Sequence, residues 1–308
     1  MLGAIIGDVV GSTYEFHNTK DYNFELFPKG SEYTDDTIMS LAVASTLMKV
    51  DYSWLEMFPY SFEEEMVRLA NLYPYPKGGY GGGFATWLFH PEELYSYDCK
   101  DAIWFKKSSS GRFPYGSYGN GSAMRVSPVG WFYNGKSGEK KTYRISTSSA
   151  IITHNSREGS KGANAVAIAI YLARKGKTKE EIREYLEGHF EYDLHKTWEY
   201  WHPIYKWDSS CQGTVPQAII CFLDSTDFED AIRKAVSLGG DSDTLACITG
   251  GIAEAFYKEI PINMVQKTLE ILPNELKDIL FKFQKTVGID YKPLYKVYFN
   301  ESNDDSYI

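Results

Sequence analysis

Residues 31–45 read SEYTDDTIMSLAVAS. Two adjacent aspartates, Asp35 and Asp36, stand between two threonines, directly before an apolar run with helical periodicity over 38–50. Thr34, Asp35 or Asp36 could each cap that helix by accepting a hydrogen bond from its free N–H groups, and the helix dipole favours carboxylates there. One aspartate suffices for capping. The second adds like-charge repulsion, so the pair acquires a reason only if further groups meet it.

A second cluster has the same design. In LGGDSDT (238–244), Asp241 and Asp243 stand two apart, Thr244 follows, and an apolar helical pattern occupies 244–257. Two readings stand. The clusters are independent caps that never meet, or they converge into one site of four carboxylates and two hydroxyls. A converged group repels itself unless cations lie within it. Oxygen donors without Cys or His suit Mg²⁺ or Mn²⁺, and Ca²⁺ less well. A carboxylate bridging two such ions about 3.5–4 Å apart would make a two-metal site.

The rest of the chain is dominated by helical periodicity, at 160–175, 178–189, 215–223, 227–238, 263–272 and 274–285. The best extended candidate is 288–299, GIDYKPLYKVYF, near the end. With no linker or low-complexity tract, the pattern implies one mostly α-helical domain. Glycine concentrates in KGGYGGG (77–83), GSYGNGSAMR (116–125) and LGGDSDT (238–244), which read as loops of a binding cleft.

The 308 residues allow one large domain or two modest ones. A formal charge of −9 argues against a sequence-independent nucleic-acid binder, which needs a basic face. Four cysteines without a CxxC pair read as buried free thiols of a reducing compartment. The apolar start, MLGAIIGDVVG, lacks a basic segment and reaches Asp8 too early for a signal peptide, and no apolar run has the length of a membrane span. A cytoplasmic protein is expected.

Taken together, these segments resemble the ADP-ribosylglycohydrolase family. GAIIGDVVGSTYEF (3–16) is similar to its opening GD-x-x-G-x-x-x-E motif, and YTDDT (33–37) to its first metal motif. GYGGG (79–83) and GSYGNGSAMRVSP (116–128) resemble its ligand loops, and Thr153-His154 and GGDSDT (239–244) complete the set in family order. The likeness spans residue 3 to about 257.

The resemblance implies an all-α, single-domain orthogonal helical bundle, with a catalytic domain over 1–293 and a C-terminal extension over 294–308. It implies two divalent cations, Mg²⁺ or Mn²⁺, held by Thr34, Asp35, Asp36, Asp241, Asp243 and Thr244. Glu15, Asp35 and Asp36 become the catalytic candidates. Substrate contacts are expected from Gly116, Ser117, Tyr118, Gly119 and Asn120, from His154 on the nucleotide side, and more loosely from Phe113 as an adenine-stacking ring. Backbone N–H groups of the GSYG loop can hold a diphosphate without a basic side chain.

The reaction so implied is metal-dependent hydrolysis of the N- or O-glycosidic bond between ADP-ribose and a protein side chain, by a monomer. The alternatives are a hydrolase of small ADP-ribosyl compounds such as O-acetyl-ADP-ribose, one acting on ADP-ribosylated nucleic acid, and a non-catalytic ADP-ribose-binding protein. Asp8 reads as a cap of the first helix or an orienter of a neighbour, and Met124 and Arg125 as braces of their loop. WEYWHPIYKW (198–207) reads as core packing or a partner surface.

Overall fold

The computed structural model describes residues 1–94 and 111–289. Its helices are α1 (Leu2–Gly11), α2 (Asp35–Lys49), α3 (Phe58–Leu72), α4 (Gly82–Phe89), α5 (Gly121–Met124), α6 (Ser127–Phe132), α7 (Gly138–Ile151), α8 (Arg157–Arg174), α9 (Lys179–Phe190), α10 (Trp198–Trp201), α11 (Cys211–Leu223), α12 (Phe228–Ser237), α13 (Ser242–Tyr257), α14 (Ile262–Ile271) and α15 (Asn274–Thr286). Among the described residues there is no sheet, only isolated bridges joining Thr34 to Lys77 and Gly119 to Ser210. The all-α expectation holds. The extended candidate at 288–299, the extension 294–308 and Cys99 fall almost wholly outside the described residues.

α13 is the axis of the fold. It is buried from Ser242 to Ala255 and packs on α1, α8, α11 and α12. Its partnership with α1 has a specific cause. Gly3, Gly7 and Gly11 recur every fourth residue and form one bare stripe along α1. A Cβ at these positions would overlap the Gly250 carbonyl, the Ala246 carbonyl and the Asp243 Cα respectively. The pairing order is antiparallel and the contact is backbone on backbone. It brings the C-terminal end of α1 against the N-terminal end of α13. At the far end, Glu254 of α13 accepts from the Gly3 amide (2.9 Å) and pairs with the buried amino group of Met1.

α1 lacks an amphipathic signature because every residue in it is buried, so periodicity alone does not mark it. α7 is equally unmarked: its sequence GEKKTYRISTSSAI is polar on most sides and it is held by packing on α8. α2 and α13 each begin earlier than the apolar pattern, at Asp35 and Ser242, which draws Asp35, Asp36 and Asp243 into first turns.

The close contact predicts that Gly7→Ala lowers unfolding stability by about 3 kcal/mol, the upper part of the usual range for overpacking. Chemical unfolding followed by far-UV circular dichroism measures it. A wild-type midpoint would show that the two helices are not in backbone contact.

Candidate active site

The N-terminus of α2 is capped, but not by Asp35 or Asp36. Thr34 is the N-cap and its hydroxyl oxygen accepts from the Asp36 amide at 3.2 Å. The fully buried carboxylate of Asp8, reaching across from α1, accepts from Thr34 N (3.0 Å), Thr34 Oγ1 (2.7 Å), Thr37 N (3.1 Å) and Thr37 Oγ1. Asp8 therefore caps the second helix rather than the first and fixes the turn that carries the aspartate pair. Burial pushes its carboxyl up to about 6, against the opposing effect of the threonine bonds. With the cap supplied by other residues, Asp35 and Asp36 are left for something else. Asp36 Oδ2 is buried and has no hydrogen-bond partner.

The N-terminus of α13 shows the same economy. Asp241 occupies the N-cap position yet makes no side-chain cap bond. Its Oδ2 instead accepts from Asn120 Nδ2 at 2.7 Å, and the same nitrogen donates to Thr214 Oγ1 at 3.1 Å. The preceding turn needs both glycines: Gly239 and Gly240 have φ of +77° and +78°, and a Cβ at Gly240 would stand 2.7 Å from the Tyr205 ring. Asn18 ties this turn to the end of α1. Its Nδ2 reaches the carbonyls of Tyr14, Glu15 and Gly240, and its Oδ1 accepts from the Gly240 amide at 2.7 Å. Lys20 donates to the carbonyls of His202, Tyr205 and Leu238, and so pins the aromatic segment 198–207 over the turn.

The two acidic clusters meet. Asp35, Asp36, Asp241, Asp243 and Thr244 line one cleft of about 410 Å³, together with Glu15. Carboxylate oxygens of Glu15, Asp241 and Asp243 lie within 4.8 Å of one another. Thr34 lies behind them, against Asp8. Burial first, then neighbouring carboxylates, pushes Asp35, Asp36 and Asp243 well above the usual carboxylate range. The Glu15 carboxyl rises to about 7, by burial and then by Asp241 and Asp8, with Lys77 opposing. At about 4 Å and an effective dielectric of about 20, one like-charged pair costs about 4 kcal/mol. Several such pairs are tolerable only if the group holds protons or cations. The donors are all oxygen, and Glu15 Oε2 joins Asp36 Oδ2 as a buried atom without a partner. The residues therefore fit a hard divalent cation.

Away from the acids, the cleft is walled by Gly78–Gly83 with Tyr80 and Phe84, and by Tyr115, Ser117, Gly119, Gly121 and His154. The loop at 116–120 reaches the cleft through Ser117, Gly119 and Asn120. Its N–H groups at Gly116, Ser117, Gly119 and Asn120 donate to Asn155 Oδ1, Thr153 O, Ser117 Oγ and Ser209 O. The N-terminus of α4 lies in the same cleft and carries no side-chain cap. Gly116, Tyr118 and Phe113 are not among the lining residues, and Tyr118 is exposed. Of the rings at positions 113, 115 and 118, that of Tyr115 lines the cleft, 6.2 Å from His154. Sequence reading missed Phe16 and Trp207. Their rings stack at 5.8 Å on the cleft rim, 65% and 47% exposed. Phe16 is carried beside Glu15, and Trp207 abuts Gly240.

Residues 1–288 match the ADP-ribosylglycohydrolase family. The chain belongs to that family. This ADP-ribosylglycohydrolase is 31% identical over 320 residues to human ADP-ribosylhydrolase ARH3, covering 83% of the chain and 84% of the relative. It is 25% identical over 288 residues to ADP-ribosylarginine hydrolase Tri1 of Pseudomonas putida, covering 83% and 69%. Its fold matches a solved structure titled ADP-ribosylglycohydrolase-related protein complex with a TM-score of 0.63 at 22% identity, covering 93% of this chain and 97% of that one. It is thus a glycohydrolase enzyme. Among the described residues, no helix is long and apolar enough to cross a membrane.

The electrostatics give a signed pH dependence. Asp8 and Glu15 have folded-state values of about 6 and about 7, above their ordinary 3.8 and 4.5. The native state therefore binds more protons than the unfolded chain across this window. Cation-free protein should be most stable below about pH 4 as far as these two groups are concerned, and should lose that increment as pH rises through about 7. Millimolar Mg²⁺ should raise the melting temperature more at pH 8 than at pH 5. Differential scanning fluorimetry in EDTA and in Mg²⁺ reads both effects. A cation-free melting temperature that rises from pH 5 to 8 with no Mg²⁺ response would contradict the description.

Proposed function

We propose that the enzyme hydrolyses the glycosidic bond joining ADP-ribose to a protein side chain, with two divalent cations, Mg²⁺ or Mn²⁺. The observation that carries this reading is the meeting of the α2 and α13 N-termini, which gathers Asp35, Asp36, Asp241, Asp243 and Thr244 with Glu15 in one cleft. Thr34 would complete the ligand set from behind.

When bound, the cations would offset the carboxylate charge and act as Lewis acids toward ribose oxygens. The protein's own residues account for the rest. Cleavage of the anomeric bond builds positive charge on the ribose, which the surrounding carboxylates stabilise. A water adds to the anomeric carbon and the acceptor departs with a proton. Glu15, which lines the cleft with its Oε2 buried and without a protein partner, takes the proton from that water and passes it to the departing acceptor. Asp8 and Asn120 act on the acids rather than on substrate: one holds the α2 turn, the other orients Asp241. The diphosphate falls to neutral donors, the uncapped N–H groups of α4 and the imidazole of His154, which suits a chain of charge −9. The exposed Phe16–Trp207 pair offers a flat apolar surface beside the acids, suited to a polypeptide acceptor more than to a small ester.

Asp36→Ala and Asp243→Ala should each reduce turnover to background while leaving far-UV circular dichroism unchanged. Glu15→Ala should lower kcat far more than it weakens ADP-ribose binding, because its role is in the transition state. The direct assay is release of free ADP-ribose from matched arginine-, serine- and acetyl-linked substrates, in EDTA and after Mg²⁺ or Mn²⁺ is restored. Cation-restored release from a protein-linked substrate is expected. Full activity of Asp243→Ala in EDTA would overturn the proposal.

A further inference from the structure

Arg125 is completely buried, and its side chain bonds to uncharged oxygens. Nη2 donates to Ser149 O at 2.8 Å and to Thr153 Oγ1 at 2.9 Å, and the guanidinium lies 5.7 Å over the Phe84 ring. Thr153 Oγ1 in turn stands 2.7 Å from His154 Nδ1. The direction of each bond follows from the donor inventory. A guanidinium nitrogen can only donate, so Thr153 Oγ1 accepts from Arg125. The single hydroxyl hydrogen of Thr153 is then free to donate, and His154 Nδ1 is the acceptor beside it. Nδ1 must therefore carry a lone pair, and the imidazole hydrogen resides on Nε2. The reverse tautomer would make Thr153 Oγ1 accept twice and strand its own hydrogen.

Nε2 faces the cleft. A Cβ at Gly121 would lie 3.3 Å from it and one at Gly119 3.7 Å, so only the glycine backbones leave that edge open. No other described residue bonds it. Burial, and the Arg125 charge after it, hold the ring well below the ordinary imidazole value, so the ring stays neutral. The charged and titratable groups that face the ring are Arg125 behind it and the Tyr115 phenol across from it.

We infer that Arg125 and Thr153 are positioning residues: their relay locks His154 as a neutral Nε2–H donor aimed at the glycine wall of the cleft, where it bonds an anionic oxygen of the ligand. Arg125 borders the same cleft yet is fully buried. The positive charge acts at one remove, through a hydroxyl, and fixes a neutral donor. The ligand half of the inference rests on the ADP-ribose reading above. The tautomer half does not.

The test is long-range ¹H–¹⁵N spectroscopy of the full chain with ¹⁵N-labelled histidine, without ligand and then with ADP-ribose. His154 should show an unprotonated Nδ1 and a protonated Nε2 at pH 6 and at pH 8. Thr153→Val removes the donor to Nδ1. It should mix the tautomers and weaken ADP-ribose binding about tenfold, while Thr153→Ser restores both. A protonated Nδ1 in the wild-type spectrum overturns the inference even if Thr153→Val does not fold. So does a Thr153→Val protein with the wild-type tautomer and affinity. Failure of the wild type to bind ADP-ribose would sink the functional reading instead, and would leave the tautomer result to stand on the ligand-free spectrum.

Discussion

The structure depends on the backbone contact between α1 and α13. Three glycines at helical spacing remove every side chain from one line along α1, and α13 fills the space. Direct helix contact fixes relative position more tightly than interdigitated side chains, because no rotamer can absorb a displacement. The contact is antiparallel, so it delivers the end of α1 to the start of α13. Asp8 then points outward from α1 to hold the first turn of α2. Glu15, four residues beyond Gly11, arrives over Asp241 and Asp243. One packing constraint thus sets the positions of three acidic segments drawn from distant parts of the sequence.

That arrangement runs against stability. Buried carboxylates that face one another oppose folding unless protons or cations occupy the group. The surrounding polar groups manage this by division of labour. Asp8, Thr34, Thr37, Asn18 and Asn120 use their hydrogen bonds to hold backbone turns or to orient one carboxylate. Asp36 and Glu15 keep buried oxygens free of protein partners. Donors reach Asp241 and Asp243 from Asn120 and the Thr244 amide, while the unpaired oxygens of Asp36 and Glu15 are left for a ligand. On the opposite wall Arg125 borders the cleft but is fully buried, and its Nη2 is spent on Ser149 O and Thr153 Oγ1.

Much of this was legible in the sequence. A second aspartate at a helix start is not needed for capping, and two clusters built alike left open both independent caps and a converged site. The helical class followed from periodicity. The parts that stayed hidden share a physical cause: they depend on contacts between segments far apart in the chain. Nothing local tells that Asp8 caps α2 instead of α1, or that Asn120 turns to Asp241. Phe16 and Trp207 each look like ordinary surface aromatics until Lys20 and Asn18 bring their segments to one rim. The sequence WEYWHPIYKW reads as core or surface, and it is both: Tyr205 is buried against Gly240 while Trp207 stands on the cleft. The loop at 116–120 lines the cleft through Ser117, Gly119 and Asn120, but its hydrogen bonding was not legible. Its glycines suggest free N–H groups, yet four of its N–H groups are taken up by Asn155, Thr153, Ser117 and Ser209.

The central claim is that the α1–α13 contact assembles a cation site from the two acidic helix starts. Anomalous diffraction from crystals grown with Mn²⁺ tests it most directly. Two anomalous peaks bounded by Asp36, Asp243 and Glu15 are predicted. Ordered Asp35, Asp36, Asp241 and Asp243 with no peak among them, at a Mn²⁺ concentration that supports turnover, would contradict the account.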